Sequence, residues 1–153
     1  MAGGLPRTQA RRAAVQALYQ AVVNNQAPDA DTLDFVTAEY TQKIDKPYFQ
    51  LLVDGVLTQQ ADIDSELAHA IDRDLSAIDP VEVSVLRIAV FEYLHRPDIP
   101  YRVVLNEAVE LAKSFGGEQG HKFVNGVLDK IGARLRRVEY DAAKAARAQK
   151  KAR

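Results

Sequence analysis

Apolar residues recur at intervals of three and four along nearly the whole of this 153-residue chain, which is the spacing of one face of an α-helix. In the first such stretch, Val15, Leu18, Tyr19 and Val22 fall on a single stripe. No window shows a convincing alternation of apolar and polar residues, the pattern of a half-buried strand. The sequence therefore predicts an all-α fold.

Capping residues and prolines divide this pattern into separate helices. Asp79-Pro80-Val81-Glu82 is the clearest start, because Asp is a favoured N-cap and Pro fits the first helical position. The helix that follows is apolar over so wide an arc that we expect it to be central. A first helix is predicted to begin near Thr8, and a weaker one to span roughly 32–41. A third segment runs from Asp45 past Ile63 as one bent helix or two. Two further helices are predicted after the central one, the first from Asp98 to Gly116-Gly117 and the second over 118–138.

The connections between these segments are short, so we expect a compact bundle of six to seven helices forming one domain over residues 7–138. Residues 1–6 are expected to be a flexible N-terminus. Residues 139–153 are mainly Ala, Lys and Arg, with almost no large apolar side chain to bury. We expect this basic tail to be disordered or a frayed helical extension.

The composition excludes several classes of protein. The chain contains no cysteine, which rules out a disulfide scaffold, thiolate metal sites and a cysteine nucleophile. No apolar run approaches the roughly 20 residues of a membrane helix, and the N-terminus Met-Ala-Gly-Gly-Leu-Pro-Arg lacks the apolar core of a signal peptide. We therefore expect a cytoplasmic location and no membrane partner.

Charge is segregated along the chain although the formal net charge is only -1. Residues 1–28 hold three bases and no acid, residues 29–98 hold five bases and 15 acids, and residues 130–153 hold nine bases and two acids. Basic ends separated by an acidic middle can present a cationic face to a polyanion. The near-neutral total therefore does not exclude nucleic acid as a partner.

No motif of metal or catalytic chemistry stands out. His69, His95 and His121 lie far apart in the sequence and no two of them stand at the helical spacing of a zinc site, so no metal site is predicted. The acidic stretch 62–66 lacks the glycine of a calcium loop, and Gly116-Gly117 is not followed by the Lys-Ser/Thr of a phosphate loop. We expect no cofactor and no enzymatic activity.

The start of the first helix is one candidate site for RNA. Arg7, Arg11 and Arg12 lead into Gln16 and Tyr19. Arg11 follows Arg7 by one turn, so both could reach one line of phosphates, and a helix start offers free N–H groups to an anion. The alternative is an ordinary solvated helix start.

The segment 113–126 is a second candidate site. Proteins read single-stranded RNA with stacked rings, amides on base edges and cations on phosphates. The segment supplies all three groups in Lys113, Phe115, His121, Lys122, Phe123 and Asn125. The alternative is that both phenylalanines are core residues. Asn125-Gly126 lies in a helical pattern, and because Asn is a poor mid-helix residue, its presence needs a capping, packing or ligand role.

Acidic residues provide a surface of opposite sign. Glu82, Glu92 and the acids of 62–79 suit a basic protein partner better than RNA. The alternative is a solvated acidic face.

The chain resembles the NusB family of bacterial transcription antitermination factors over about residues 8–135. The likeness is carried by Ala14-Val-Gln-Ala-Leu-Tyr19, Tyr48-Phe49, Val85-Leu-Arg-Ile-Ala89, Pro100-Tyr101, Asn106-Glu107-Ala108, Glu110-Leu-Ala-Lys-Ser-Phe-Gly116 and His121-Lys-Phe-Val-Asn-Gly-Val-Leu-Asp-Lys130. The last of these motifs is highly specific.

The resemblance implies a fold of two small helical sub-bundles and no catalysis. It implies binding of boxA-type single-stranded nascent RNA together with the ribosomal protein NusE, which helps RNA polymerase read through terminators in ribosomal RNA operons. The RNA-facing residues implied by matching motif are Arg7, Arg11, Gln16, Tyr19, Phe115, Lys122, Phe123 and Asn125. The NusE-facing residues are Glu82 and Tyr19. Arg12, Lys113 and His121 are added to the RNA-facing set on their chemistry.

Two departures from the family and two alternatives bear on this hypothesis. Thr8 and Gln9 interrupt an arginine run that is denser in several family members, and Gln119 stands where an acid is familiar. Losing that acid favours the binding of a polyanion.

One alternative is a detached relative of the NusB-like domain that precedes RNA methyltransferase domains, although no cofactor-binding domain follows here. The other is a helical adaptor or homodimer that binds only proteins.

Overall fold

The structure is a computed structural model that describes residues 4–40, 43–116 and 118–152. Within these residues the chain forms eight α-helices and one short 3₁₀ turn, and no strand. The helices are α1 (Gly4–Asn24), α2 (Ala30–Ala38), α3 (Lys46–Thr58), α4 (Gln60–Ala68), α5 (Pro80–His95), α6 (Tyr101–Phe115), α7 (Glu118–Leu135) and α8 (Arg137–Ala152). The all-α prediction is confirmed.

The predicted count of six to seven helices is too low by at least one. The segment from Asp45 past Ile63 is two helices, because the backbone at Gln59 leaves helical geometry between α3 and α4. The basic tail adds a further helix, α8.

The N-terminal boundary also differs from the prediction. Helix α1 begins at Gly4 and not near Thr8, so residues 4–6 of the expected flexible N-terminus form its first turn, while residues 1–3 lie outside the described part of the chain. Pro6 is tolerated there because amides of a first helical turn have no acceptor within the helix. Thr8 is not a cap, since its hydroxyl donates to the Gly4 carbonyl and to Glu107.

The predicted capping residues fix two helix starts. Asp45 accepts a hydrogen bond from the Tyr48 amide at 3.0 Å, and Asp79 accepts one from the Val81 amide at 2.8 Å with Pro80 at the first helical position. Such caps satisfy amides that a helix start leaves unpaired. The helix that Asp79 opens, α5, is the central helix as predicted, because it packs against α1, α3, α4, α6 and α7.

Packing around α5 requires glycine where another helix comes close. A Cβ on Gly55 of α3 would overlap the ring of Phe91, and one on Gly132 of α7 would overlap the ring of Tyr101. Both rings are at most 5% exposed. Glycine at these two positions therefore allows the rings of Phe91 and Tyr101 to pack directly against the backbone of α3 and α7.

The C-terminal tail is helical and anchored, so the predicted domain boundary at 138 falls inside α8. Arg136, just before α8, donates hydrogen bonds to the carbonyls of Glu92, Tyr93, Arg96 and Ile99 at the end of α5 and beyond it. Glu139 accepts a hydrogen bond from the Tyr101 amide at 2.9 Å. These bonds satisfy groups that helix ends leave open, which explains why a segment with little to bury is ordered. Arg153 lies outside the described residues.

Within the described residues, no helix is long and apolar enough to cross a lipid bilayer.

Candidate nucleic-acid interface

A cleft of about 690 Å³ opens between α1, α2 and the adjoining ends of α5 and α6. We call it the α1–α2 cleft. Its walls include two predicted RNA-binding residues of α1, Gln16 and Tyr19, and one of α6, Phe115. Phe35 of α2 and Val81 of α5 complete its apolar lining. The fold thus brings Phe115 of the second candidate site together with Gln16 and Tyr19 of the first, although they are about 100 residues apart in the chain.

Arg12 connects the basic start of α1 to the ring of Phe115. Its guanidinium lies 5.3 Å from the ring centroid, and its Nη1 donates to Ser114 Oγ at 2.9 Å. Lys113, one residue further back, is exposed and lies 3.5 Å from Glu110. A cation stacked on a ring at the rim of a cleft can bind a phosphate while the ring receives a base.

A second cleft of about 570 Å³ lies between the end of α4 and the outer face of α7. We call it the α4–α7 cleft. Lys122, Phe123 and Lys130 of α7 line one side, and His69 and Arg73 line the other. The Arg73 guanidinium lies 5.3 Å from the Phe123 ring centroid. The ring and the cation are therefore combined here as they are in the α1–α2 cleft.

Glu82 lies between the two clefts. Its neighbour Val81 lines the first cleft, and its Oε2 would be 3.1 Å from a Cβ built on Gly120 of α7. Burial raises the pKa of the Glu82 carboxyl, the negative charge of Asp79 raises it further, and Arg73 opposes both. The predicted NusE-facing acid therefore adjoins the candidate RNA surface.

Both predicted rings are partly core residues. Phe115 and Phe123 are half-buried and pack against the main apolar core, yet each also lines a cleft. The two alternatives that the sequence left open are therefore both partly correct. Each ring therefore contributes to the core and also lines a cleft, where an arginine stacks on it.

Asn125 lies on the exposed face of α7, so the helical interpretation of Asn125-Gly126 is confirmed. Its side chain makes no hydrogen bond to the part of the chain that the structure describes. Open space surrounds the adjacent Gly126, where an added Cβ would meet nothing within 4 Å. Neither a capping nor a packing role explains this asparagine, and a ligand role remains.

Two predicted RNA-binding residues of α1 and α7 each have a buried polar atom with no hydrogen-bond partner among the described residues. These atoms are Oε1 of Gln16, at the α1–α2 cleft, and Nδ1 of His121, at the start of α7. An unpaired buried acceptor is costly, so a native structure retains one only for a reason such as an absent ligand or water.

Arg7 contributes to neither cleft. Its guanidinium lies 4.4 Å from the ring centroid of Tyr48 and 3.9 Å from Asp45. Arg96 stacks on the same ring at 5.1 Å. The expected grouping of Arg7 with the rings of α6 and α7 is not what the structure has, because its position on α1 points it toward the start of α3.

Arg11 is buried, which corrects its assignment to the RNA-facing set. Its side chain is 1% exposed and pairs with Glu92 through Nη2 and Oε2 at 2.9 Å. The Tyr48 hydroxyl donates to the same carboxylate, and Glu107 lies 3.5 Å from Nη1. Burial lowers the Arg11 pKa, but these anionic neighbours outweigh it and the pKa is raised. Within this network the guanidinium has no free face for a phosphate.

The same ion pair corrects the assignment of Glu92 to an acidic docking surface. Glu92 is 1% exposed, so it cannot contact a basic protein partner. The identity of the partner could not be predicted from the sequence, because Arg11 and Glu92 are 81 residues apart. The available signal was that Glu92 is a charged residue inside the apolar stripe of α5. Charged residues at such positions are seldom buried without a partner, so a buried ion pair could have been expected.

Phe35 and Arg73 are among the cleft residues that were not predicted from the sequence. Phe35 is 71% exposed on α2 and lines the α1–α2 cleft. Arg73 lies in the loop after α4 and reaches Phe123. An exposed aromatic at a polar helix position could have indicated Phe35, whereas Arg73 sits among acids and carries no local signal.

Helices packed around a buried α5, with cations stacked on rings at two neighbouring clefts, define an all-helical class of protein whose surface suits a nucleic acid. The NusB family model matches residues 8–133. The chain therefore belongs to the NusB family.

Curated relatives agree along almost the whole chain. The transcription antitermination protein NusB of Nitrosococcus oceani is 48% identical over 134 residues, which cover 88% of this chain and 90% of the relative. That of Shewanella amazonensis is 48% identical over 129 residues, covering 84% of this chain and 96% of the relative.

Solved structures share the fold. T. maritima NusB superposes with a TM-score of 0.72 at 32% identity, covering 82% of this chain and 89% of that chain. A chain from a crystal structure of the antitermination factors NusB and NusE in complex with double-stranded RNA gives a TM-score of 0.71 at 30% identity, covering 82% of this chain and 94% of that chain.

Proposed function

We propose that this chain is a transcription antitermination factor that binds a boxA-type single-stranded segment of nascent RNA jointly with the ribosomal protein NusE. The stacking of Arg12 on Phe115 at the rim of the α1–α2 cleft is the observation that carries the proposal. It supplies a phosphate-binding cation and a base-stacking ring in one contact between α1 and α6.

The RNA contacts that we propose extend from one cleft to the other. Arg12, Gln16, Tyr19, Lys113 and Phe115 form the first group, and His121, Lys122, Phe123 and Asn125 form the second. We add Arg73 because it stacks on Phe123. Arg7 joins the set through its family match as a peripheral cation, whereas the buried Arg11 supports α1 from within.

A single strand fits these clefts better than a duplex. Bases inside a duplex are already stacked on each other, whereas unpaired bases are free to stack on protein rings. Related NusB chains occur with NusE and double-stranded RNA, and the distinction is open to direct test with the two forms of one sequence.

NusE binding is assigned to Glu82 with Tyr19 nearby. The raised pKa of Glu82 means that its charged form is held in a site that does not favour it, and a cation from a partner would relieve this. Because Glu82 lies between the two clefts, a partner that covers it would border the RNA, which supports joint binding.

The remaining parts of the proposal follow from this role. The chain acts without catalysis, works within an RNA polymerase antitermination complex on ribosomal RNA operons, and is cytoplasmic because nascent transcripts are there. Its architecture is two sub-bundles, with α1–α3 packing together, α6–α8 packing together, and α5 in contact with both.

A salt titration of RNA binding tests the proposal. Fluorescence anisotropy measures the affinity for a labelled boxA single strand, with NusE present, at salt concentrations from about 50 to 200 mM. We expect affinity to fall steeply with salt, with a slope in log units of about -0.7 for each phosphate contacted. Equal affinity for a duplex of the same sequence would contradict single-strand recognition. Absent or salt-independent binding, together with a stable homodimer or a NusE complex, would favour the protein adaptor.

A further inference from the structure

Helix α8 lies outside the part of the chain that the NusB family model matches, which ends at residue 133. It is nevertheless fixed to the bundle. Tyr140 packs edge-on against the ring of Tyr101, with the centroids 6.0 Å apart, and Ala143 is buried at 7% exposure. Together with the hydrogen bonds of Arg136 and Glu139, these contacts hold the first half of α8 in one orientation.

The second half of α8 is strongly basic. Residues 142–152 contain Lys144, Arg147, Lys150 and Lys151 and no acid. These four side chains make no ion pair with the described residues, in contrast to Arg137, which pairs with Asp141 at 3.2 Å. Lys144, Arg147 and Lys151 follow at three- and four-residue steps and so share one face of the helix.

This basic face begins close to the end of the candidate RNA surface on α7. Asn125 and Asp129 are one turn apart on the outer face of α7, about 6 Å along the axis. The Tyr140 hydroxyl donates to Asp129 at 3.5 Å, and the Lys144 ammonium lies 5.0 Å from the Tyr140 ring centroid. The basic face of α8 therefore begins near Asp129, one helical turn along α7 from Asn125.

We propose that α8 is a second backbone-binding element, on which RNA leaving the two clefts continues across Lys144, Arg147 and Lys151. This inference rests on the proposed function and lengthens its RNA footprint. The three cations span about 10 Å along the helix, a distance that covers two to three phosphates of a single strand. They contact phosphates and carry no base preference, because phosphate contacts carry no direct sequence information.

The composition of the segment favours RNA over a protein as the occupant. Apart from its charged residues, the segment 142–152 contains only alanine and one glutamine. Protein interfaces have an apolar centre that is depleted in Lys, and this face offers no large apolar side chain to such a centre. A polyanion needs only the cations.

Two RNA lengths and two variants test the inference. The short RNA is the boxA segment alone, and the long RNA carries about eight further nucleotides on each side, within the range that single-strand binding sites cover. The test variant is Lys144→Gln/Arg147→Gln/Lys151→Gln. The matched control, Lys144→Arg/Lys151→Arg, keeps the charge. Circular dichroism verifies that helix content is retained, and anisotropy with NusE present gives affinities and salt slopes.

We expect the native chain and the control to bind the long RNA more tightly than the short one. The triple Gln variant should lose this advantage, by about tenfold or more at low salt, and its salt slope on the long RNA should be less steep by about 2. Its binding of the short RNA should not change.

Equal binding of the two RNA lengths by the native chain would overturn the inference, as would an undiminished length advantage in the triple Gln variant. Loss of NusE association without loss of RNA affinity would assign α8 to a protein partner instead. Failure of the native chain to bind either RNA would refute the proposed function itself, which distinguishes the two claims.

Discussion

Arg11 of α1 and Glu92 of α5 form an ion pair inside the protein, with Nη2 and Oε2 2.9 Å apart and each side chain 1% exposed. The pair connects the helix that carries the basic N-terminal residues to the centre of the bundle. Removing both charges from water is costly, so such a pair is stable only when both partners are present and hydrogen-bonded. Tyr48 and Glu107 supply those further contacts.

Arg11→Met is expected to lower the free energy of unfolding by about 3–5 kcal/mol, because it leaves the Glu92 carboxylate buried without its cation. Urea unfolding followed by circular dichroism measures the change. The double variant Arg11→Met/Glu92→Met should recover most of the loss, since it removes both buried charges. A stable Arg11→Met chain with impaired RNA binding would return Arg11 to the RNA-facing set.

Phe123→Ala is expected to weaken RNA binding by about 1–3 kcal/mol, the usual contribution of one stacked base. Because Phe123 also packs on the core, Phe123→Leu is the matched control for packing. Leucine keeps most of the apolar volume, so stability should change little, yet it offers no ring. If Phe123→Leu bound RNA as tightly as the native chain, Phe123 would be a core residue only.

Glu82→Gln is expected to raise the free energy of unfolding at neutral pH. The folded-state pKa of Glu82 lies above its ordinary value of 4.5, mainly through burial. Above that raised pKa the folded state holds a carboxylate that the unfolded chain accommodates better, and below the ordinary value both states are protonated. The gain from Glu82→Gln should therefore vanish as the pH falls below about 4.

Urea unfolding at a series of pH values checks this dependence, and titration with NusE provides the functional readout. The variant should bind NusE more weakly, because a cation of NusE would no longer find the Glu82 carboxylate to pair with. A variant that is less stable at neutral pH and binds NusE normally would contradict both assignments of Glu82.

Gly55→Ala and Gly126→Ala should change stability in opposite directions. At Gly55 a methyl group overlaps the Phe91 ring, so we expect a loss of about 1–3 kcal/mol from overpacking. At Gly126 the space is open, and alanine should stabilise α7 by roughly 0.5–1 kcal/mol through its higher helix propensity. Thermal unfolding of the two variants compares them directly. A neutral Gly55→Ala would mean that α3 and α5 are less closely packed than described.

Local signals in the sequence predicted local structure well. Asp45 and Asp79 identified helix starts because a cap acts within three residues of itself. The wide apolar arc of 80–95 identified the central helix for a similar reason, since burial on several sides requires apolar residues on several sides. The family resemblance also selected Gln16, Tyr19 and Phe115 as candidate RNA-binding residues, and in the structure all three line one cleft.

Sequence could not decide which arginine of α1 faces solvent. Arg11 and Arg12 are adjacent and chemically equal, and only partners 81 and 102 residues away separate their roles. The sequence left the tail as either disordered or a frayed helical extension, and for the same reason it could not predict how the tail is anchored. Its anchors, Arg136 and Glu139, bind backbone groups of other helices, and such contacts leave no mark on periodicity or composition.

Ultraviolet crosslinking of a uridine-containing boxA single strand to the chain, with NusE present and adducts mapped by mass spectrometry, tests the central claim most directly. We expect adducts at Phe115 and Phe123, because both rings line the clefts where we propose that unpaired bases stack. Adducts found only at exposed residues outside both clefts, with none at Phe115 or Phe123, would place the RNA on a different surface and contradict this assignment.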